Sequence, residues 1–174
     1  SRVLRRLERH FGAQELGKLA KPGTFFDFTR YRPITRMIEG RRTLIIPNST
    51  LYYARRDKAP DLLFFNLQEP HAQAEEYVDS IVELLKVLGV KRYSRIGGMY
   101  DAVPHTRPLL VTGSLNGEPL KGVPEVNDPR EGVYQGPTSI MYMIGDLLAE
   151  RGIESLTLMV HLPQYLELED DYSG

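Results

Sequence analysis

Residues 61–97 read DLLFFNLQEPHAQAEEYVDSIVELLKVLGVKRYSRIG. They open on a short apolar run, Leu62-Leu63-Phe64-Phe65, that does not alternate with polar residues. A strand buried on both faces has this composition, as in a parallel sheet. The next stretch, from about Ala72 to Leu88, places Tyr77, Ile81, Leu84, Leu85 and Leu88 on one helical face. Glu75, Glu76, Asp79, Glu83 and Lys86 fall elsewhere, and Gly89 suits a helix C-terminal cap. Arg92 to Gly97 reads as the following strand. Strand, helix and strand in so short a span predict a βαβ unit with a right-handed crossover.

The flanks extend this pattern. Leu109 to Ser114 reads as a strand, and 115–136 as loop with at most one more strand. Pro137 opens a second helix, expected to run to about Arg151 with Ile140, Ile144, Leu147 and Leu148 as its apolar stripe. Gly152 ends it, and Ser155 to Val160 is the last strand. On the N-terminal side, Val3, Leu4, Leu7, Phe11, Leu16 and Leu19 predict one long surface helix, closed by Pro22-Gly23. Thr24 to Phe28 reads as an aromatic strand. Residues 34–55 read as a small antiparallel insertion with turns at Glu39-Gly40 and Pro47-Asn48-Ser49. The expectation is one α/β domain over 1–174: a three-layer sandwich around a mostly parallel central sheet. Because the chain starts in a helix and ends in an acidic stretch, we expect a first strand and a C-terminal extension to be missing.

The 174 residues suit one domain and bury a sizeable core. No apolar run is long enough for a spanning helix, and four arginines in the first ten residues argue against a signal peptide. The absence of cysteine excludes disulfides, thiol nucleophiles and Cys-ligated metals, and fits a cytoplasmic protein. Charge is uneven: residues 1–60 hold 14 Lys/Arg and 5 Asp/Glu, while 61–174 hold 8 and 18. Such asymmetry accompanies nucleic-acid contact or self-association. The basic residues are scattered and no nucleic-acid motif is present, so no nucleic-acid or membrane partner is expected.

Phosphate-loop, dinucleotide, nucleophile-elbow and zinc-helix signatures are all absent from the sequence. His71 and Glu75, four apart, read better as a solvated helix start than as metal ligands. No cofactor or metal is expected. The informative stretch is Gly97-Gly98 through Pro104-His105-Thr106-Arg107-Pro108, placed after a strand. Ligands in open α/β sheets bind at that edge, and His, Thr and Arg together suit an anion or carbonyl. A second candidate is the helix entry at Gly136, Thr138 and Ser139, where free N–H groups attract anions. The competing readings are a loop closed by its own hydrogen bonds and ordinary helix capping.

Pro104-His105-Thr106-Arg107-Pro108 after a βαβ unit resembles the hallmark of the proteasome assembly chaperone 2 family. Other features agree in order. Leu62 to Phe65 precedes Glu69-Pro70, similar to the family's strand and G-x-E-P turn, with Asn66-Leu67-Gln68 in place of its glycine start. Gly89-Val90 resembles the helix exit, and Gly136-Pro137-Thr138-Ser139 the G-x-x-G helix entry with Ser139 at the second glycine. Gly152-Ile153 and Pro163-Gln164-Tyr165 resemble the last strand and its exit. The match is good over 60–166 and weaker over 1–59. It implies a phosphorylase/hydrolase-like fold and an oligomeric binding protein or assembly factor rather than an enzyme. It implies proteasome core subunits, another protein, and further copies of the chain as partners. Proteasome activators and some assembly chaperones end in hydrophobic–Tyr–any; this sequence ends Tyr172-Ser173-Gly174, so docking by that motif is not expected from it. The rival reading is a binder or enzyme of nucleoside or phosphate-ester type, using the crevice at the Pro104–Pro108 loop.

Overall fold

The computed structural model describes residues 2–104, 106, 108–127 and 137–165. The chain divides into two compact units, Ser1–Tyr77 and Val78–Gly174, with the division inside a helix.

In the first unit, α1 (Arg2–His10) precedes β1 (Gln14–Lys18), β2 (Ile34–Ile38), β3 (Arg41–Ile45), β4 (Thr50–Ala54) and β5 (Leu62–Asn66). The long N-terminal helix expected over residues 3–19 is therefore corrected to a helix and a strand. Gly12, at φ 61, terminates α1. Its N–H donates to the Arg9 carbonyl and the Ala13 N–H to the Glu8 carbonyl, a glycine-terminated helix end. The expected strand at 24–28 is also absent. Pro22–Thr24 forms a 3-10 turn, and the Asp27 carboxylate accepts from both the N–H and the hydroxyl of Thr29. That side-chain turn overrides the strand preference of the aromatics.

Strands β1, β4 and β5 form one antiparallel sheet in the order β1-β4-β5. β2 and β3 form a separate hairpin, pairing Ile34 with Ile45 through Ile38 with Arg41. Its Glu39-Gly40 turn has positive φ at both residues, as a two-residue hairpin loop requires. The expected insertion over 34–55 is thus narrower, since β4 belongs to the larger sheet. The apolar run of β5 has a different cause from the one expected. Phe64 stacks on Phe11, just beyond α1, at 6.2 Å, and Asn66 donates to Glu8 of α1. A helix over one face of an antiparallel strand removes the alternation that an open face would show.

Helix α2 (Ala74–Val87) follows, capped by Gly89 as expected. It buries Tyr77, Val78, Ile81, Val82 and Leu85, whereas Leu84 and Leu88 are exposed. The stripe is therefore rotated from the expected one.

The second unit continues with β6 (Arg92–Asp101), β7 (Leu110–Leu115), β8 (Glu118–Pro119), α3 (Ile140–Glu150) and β9 (Glu154–Pro163). Its sheet runs β6-β9-β7-β8. Among the described residues only the β6–β9 pair is parallel; all other strand pairs are antiparallel. The mostly parallel sheet expected from the sequence is corrected accordingly. β5 and β6 lie in different sheets, so they do not form the two strands of a βαβ unit. α3 packs on β6 and β9, burying Ile140, Ile144 and Leu148. Among the described residues no helix is long and apolar enough to cross a membrane.

Candidate functional site

Register places one face of the second sheet under α3. In β6 that face carries Tyr93, Arg95, Gly97, Met99 and Asp101. Their partners in β9 are Ser155, Thr157, Met159, His161 and Pro163. β7 adds Leu110, Thr112 and Ser114 opposite His161, Met159 and Thr157. For an interior face this row is rich in polar side chains.

Those groups satisfy one another. Arg95 donates from Nε and Nη2 to the Thr157 hydroxyl, at 3.1 and 2.7 Å, and from Nη1 to the Met141 carbonyl at 3.3 Å. Its guanidinium lies 4.1 Å from the Tyr142 ring centroid, within cation–π range. Gly145 makes this possible: a Cβ there would stand 2.7 Å from Arg95 Nη1. Burial pushes the neighbouring Tyr93 phenol up to about 12, against the opposing pull of Arg95.

Further along the same face, His161 sits between Asp101 and Thr112. Its Nδ1 is 2.8 Å from Asp101 Oδ2, and its Nε2 is 2.8 Å from Thr112 Oγ1. A carboxylate only accepts, so Nδ1–H donates to Asp101, and in the tautomer that leaves Nε2 without a proton the Thr112 hydroxyl donates to it. The ring is buried and Thr112 is half-buried. A hydroxyl, an imidazole and a carboxylate in this order are the parts of an activated oxygen nucleophile. The same bonds also serve as a latch across three strands, joining β7, β9 and β6. The sequence reading missed this group because its members lie far apart in the chain. Alternation within β6 and β9 was the available signal, and it was read only as far as Gly97 and Val160.

The residues expected to bind a ligand fall in three places. Gly97 and Gly98 lie inside β6, opposite Met159 and Val160, because the strand runs on to Asp101. Gly97 accommodates Met159, whose Sδ and Cε would be 3.2 Å from an added Cβ. Pro104, Thr106 and Pro108 are exposed. The start of their loop is held by Asp101: the Ala102 N–H donates to its carboxylate and the Val103 and Gln164 N–H groups donate to its carbonyl. Thr138 is exposed, and Ser139 is the N-cap residue of α3 without a side-chain capping bond. Pro137 therefore precedes the helix rather than opening it. His105, Arg107 and Gly136 lie outside the described residues.

In the first unit, Tyr77 shares a 2.6 Å hydrogen bond with Ser49 and donates to the Gln68 carbonyl. Burial raises its phenol above the ordinary value, outweighing both bonds. His71 precedes α2: its Nδ1 accepts from the Asp27 N–H at 3.1 Å and its ring packs edge-on against Tyr31. A cleft of about 240 Å³ lies between Thr24, Asp27, Arg30 and His71. Among the described residues no cluster of three or more His, Asp or Glu could hold a metal ion.

The hairpin of β2 and β3 has the opposite character. Met37 is 68% exposed and Leu44 59%, and Ile34, Ile38, Ile45 and Ile46 are exposed too. Its strands make no ladder with either sheet.

A family model described as the PAC2 family matches residues 2–173. The chain belongs to the PAC2 family. Several solved structures share its fold. A PAC2 family protein from Streptomyces avermitilis superposes with a TM-score of 0.77 at 21% identity, covering 95% of this chain and 69% of that one. The Mycobacterium tuberculosis proteasome-assembly chaperone homologue Rv2125 gives 0.76 at 20% identity over the same shares. PbaB, an archaeal proteasome activator from Pyrococcus furiosus, gives 0.70 at 14%, covering 93% of this chain and 69% of that one. No curated protein matches the chain.

Proposed function

We propose that this PAC2 chain is a non-catalytic protein-binding protein of assembly-chaperone type, working in the cytoplasm as a homo-oligomer. Within this proposal, residues 1–174 are one α/β domain of the phosphorylase/hydrolase-like, three-layer class. The single observation that carries it is the β2–β3 hairpin, with five large apolar side chains exposed and Ile46 exposed just beyond it. An isolated two-stranded hairpin is marginal in water, and an exposed apolar patch marks a contact surface. The fold shared with a proteasome-assembly chaperone homologue and a proteasome activator makes proteasome core subunits the first partner to test. The test is affinity capture of the tagged protein from its own lysate, read by mass spectrometry. A stoichiometric protein partner is the expected result, and proteasome subunits identify it. Recovery of the protein alone overturns the reading.

One observation favours a second reading. The Asp101–His161–Thr112 relay joins the end of β6 to β7, the two strands that the Pro104–Pro108 loop connects, and this reading assigns His105, Thr106 and Arg107 to hold a ligand. In this reading Gly97, Gly98, Gly136, Thr138 and Ser139 complete the binding residues. Binding to the native state raises thermal stability. A raised Tm with a nucleoside, a nucleotide or phosphate, lost on Thr112→Val, supports this reading. An unchanged Tm across all three removes it.

A further inference from the structure

The hairpin's two faces follow from its register. Ile34, Ile38 and Ile45 share one face with Arg36 and Arg41; Met37 and Leu44 share the other with Arg42. Each face therefore mixes apolar side chains with guanidinium groups. The hairpin carries three arginines against one glutamate, Glu39. Among the described residues none of these three arginines meets a carboxylate within ion-pair distance.

The outer face of α2 has the complementary make-up. Glu75, Glu76, Asp79 and Glu83 are all exposed, and only Lys86 offsets them. Apolar side chains lie among these acids: Val87 is 74% exposed, and Leu84 and Leu88 are exposed as well. Glu76, Glu83 and Val87 stand on one side of the helix, spaced seven and four residues apart, away from the buried Ile81 and Leu85. A solvated helix face is normally polar throughout, so Val87 at the end of this face and Leu84 at its border need an explanation.

We propose that the β2–β3 hairpin of one copy docks on the outer face of α2 of a second copy. Met37 and Leu44, the most exposed apolar side chains of the hairpin, cover Leu84 and Val87; Arg42 of the same face meets the acids of α2, and Arg36 and Arg41 on the far face add to the attraction at longer range. The proposal rests on the self-associating part of the function above and names the two surfaces involved. Charge complementarity is what selects a second copy: every chain carries both halves of the match. Opposed charges at such a rim steer encounter and fix register, and they weaken with salt.

The test is sedimentation velocity of the purified chain over a concentration series, at low and at molar salt. We expect a concentration-dependent oligomer that weakens with salt. The pair Arg41→Glu/Arg42→Glu lowers the association constant about tenfold or more, and so does Met37→Ser/Leu44→Ser, which keeps the charge. Glu76→Arg/Glu83→Arg on α2 weakens it likewise. Combining the reversed hairpin with the reversed helix restores association, because attraction returns with exchanged signs. All these positions are exposed, and circular dichroism checks that each variant folds. A chain that stays monomeric throughout overturns the proposal. So does an oligomer indifferent to the hairpin variants, or a combined variant that does not recover. Purified protein reports self-association alone, whereas lysate capture reports a foreign partner, so the two readings fail separately.

Discussion

The β2–β3 hairpin and the α3-covered face of the second sheet invert each other. The hairpin exposes isoleucine, methionine and leucine to water. The covered face encloses arginine, histidine, threonine and serine. Neither obeys the rule that apolar residues go inside and polar ones outside, and the reasons differ. Polar side chains are tolerated in an interior when each has a partner, and no buried side-chain polar atom among the described residues lacks one. Exposed apolar side chains have no such internal remedy, and only another surface covers them. The difference teaches that the covered face is finished within one chain while the hairpin is not.

The sharpest way to break this comparison is to remove the same chemistry from both places. Leu148 is fully buried in α3. Leu148→Ala should cost about 2–5 kcal/mol, through lost burial and the cavity left behind. Chemical denaturation read by circular dichroism measures it. A cost under about 1 kcal/mol means the α3 face is loosely packed and the contrast fails.

The polar latch comes next. His161→Phe keeps a ring of similar breadth but removes the hydrogen bonds to Thr112 and Asp101, while Asp101 keeps the Ala102 N–H. The expected loss is about 1–3 kcal/mol, for two hydrogen bonds removed from a partly buried network. Thr112→Val, which removes only the outer partner, should cost less. Equal costs would mean that Asp101 finds full solvation without the imidazole.

Much of the second unit was legible in the sequence. Helices closing at Gly89 and Gly152, and strands starting near Arg92, Leu110 and Ser155, follow from periodicity and glycine position. The first unit was less legible because local side-chain bonds decided it. The Asp27–Thr29 turn defeated an aromatic strand pattern, and Gly12 split what looked like one helix. Sheet direction was misread because an apolar run records only that both faces are covered. It does not say whether a helix or a parallel neighbour covers them. Of the candidate site, the Pro104–Pro108 loop and the α3 entry were legible as motifs. The relay was not, since Asp101, Thr112 and His161 meet only once β6, β7 and β9 are in register.

A smaller effect follows from the tyrosines. Tyr93 and Tyr77 both hold their protons above the ordinary phenol value because they are buried. In the unfolded chain they ionise near pH 10. The folded state then binds more protons than the unfolded state, so stability falls as pH rises from about 10 towards 12. Below pH 10 the contribution is complete and flat. Tyr93→Phe should flatten the alkaline part of a denaturation series without changing it near neutrality. An unchanged alkaline slope means that Tyr93 ionises freely when folded.

The smallest expected effect is the most telling. Met37→Ser/Leu44→Ser removes two large apolar side chains, yet both are mostly in water within one chain. In dilute solution, where copies are apart, the change in unfolding free energy should stay within about 0.5 kcal/mol, as for other surface positions. Association stabilises the native state by mass action, so the wild-type Tm should climb with protein concentration. The variant's Tm should stay level over the same series. The two curves then coincide at the dilute end and separate at the concentrated end. A variant destabilised equally at every concentration would place Met37 and Leu44 in the chain's own core. The hairpin would then differ from the α3 face only in degree.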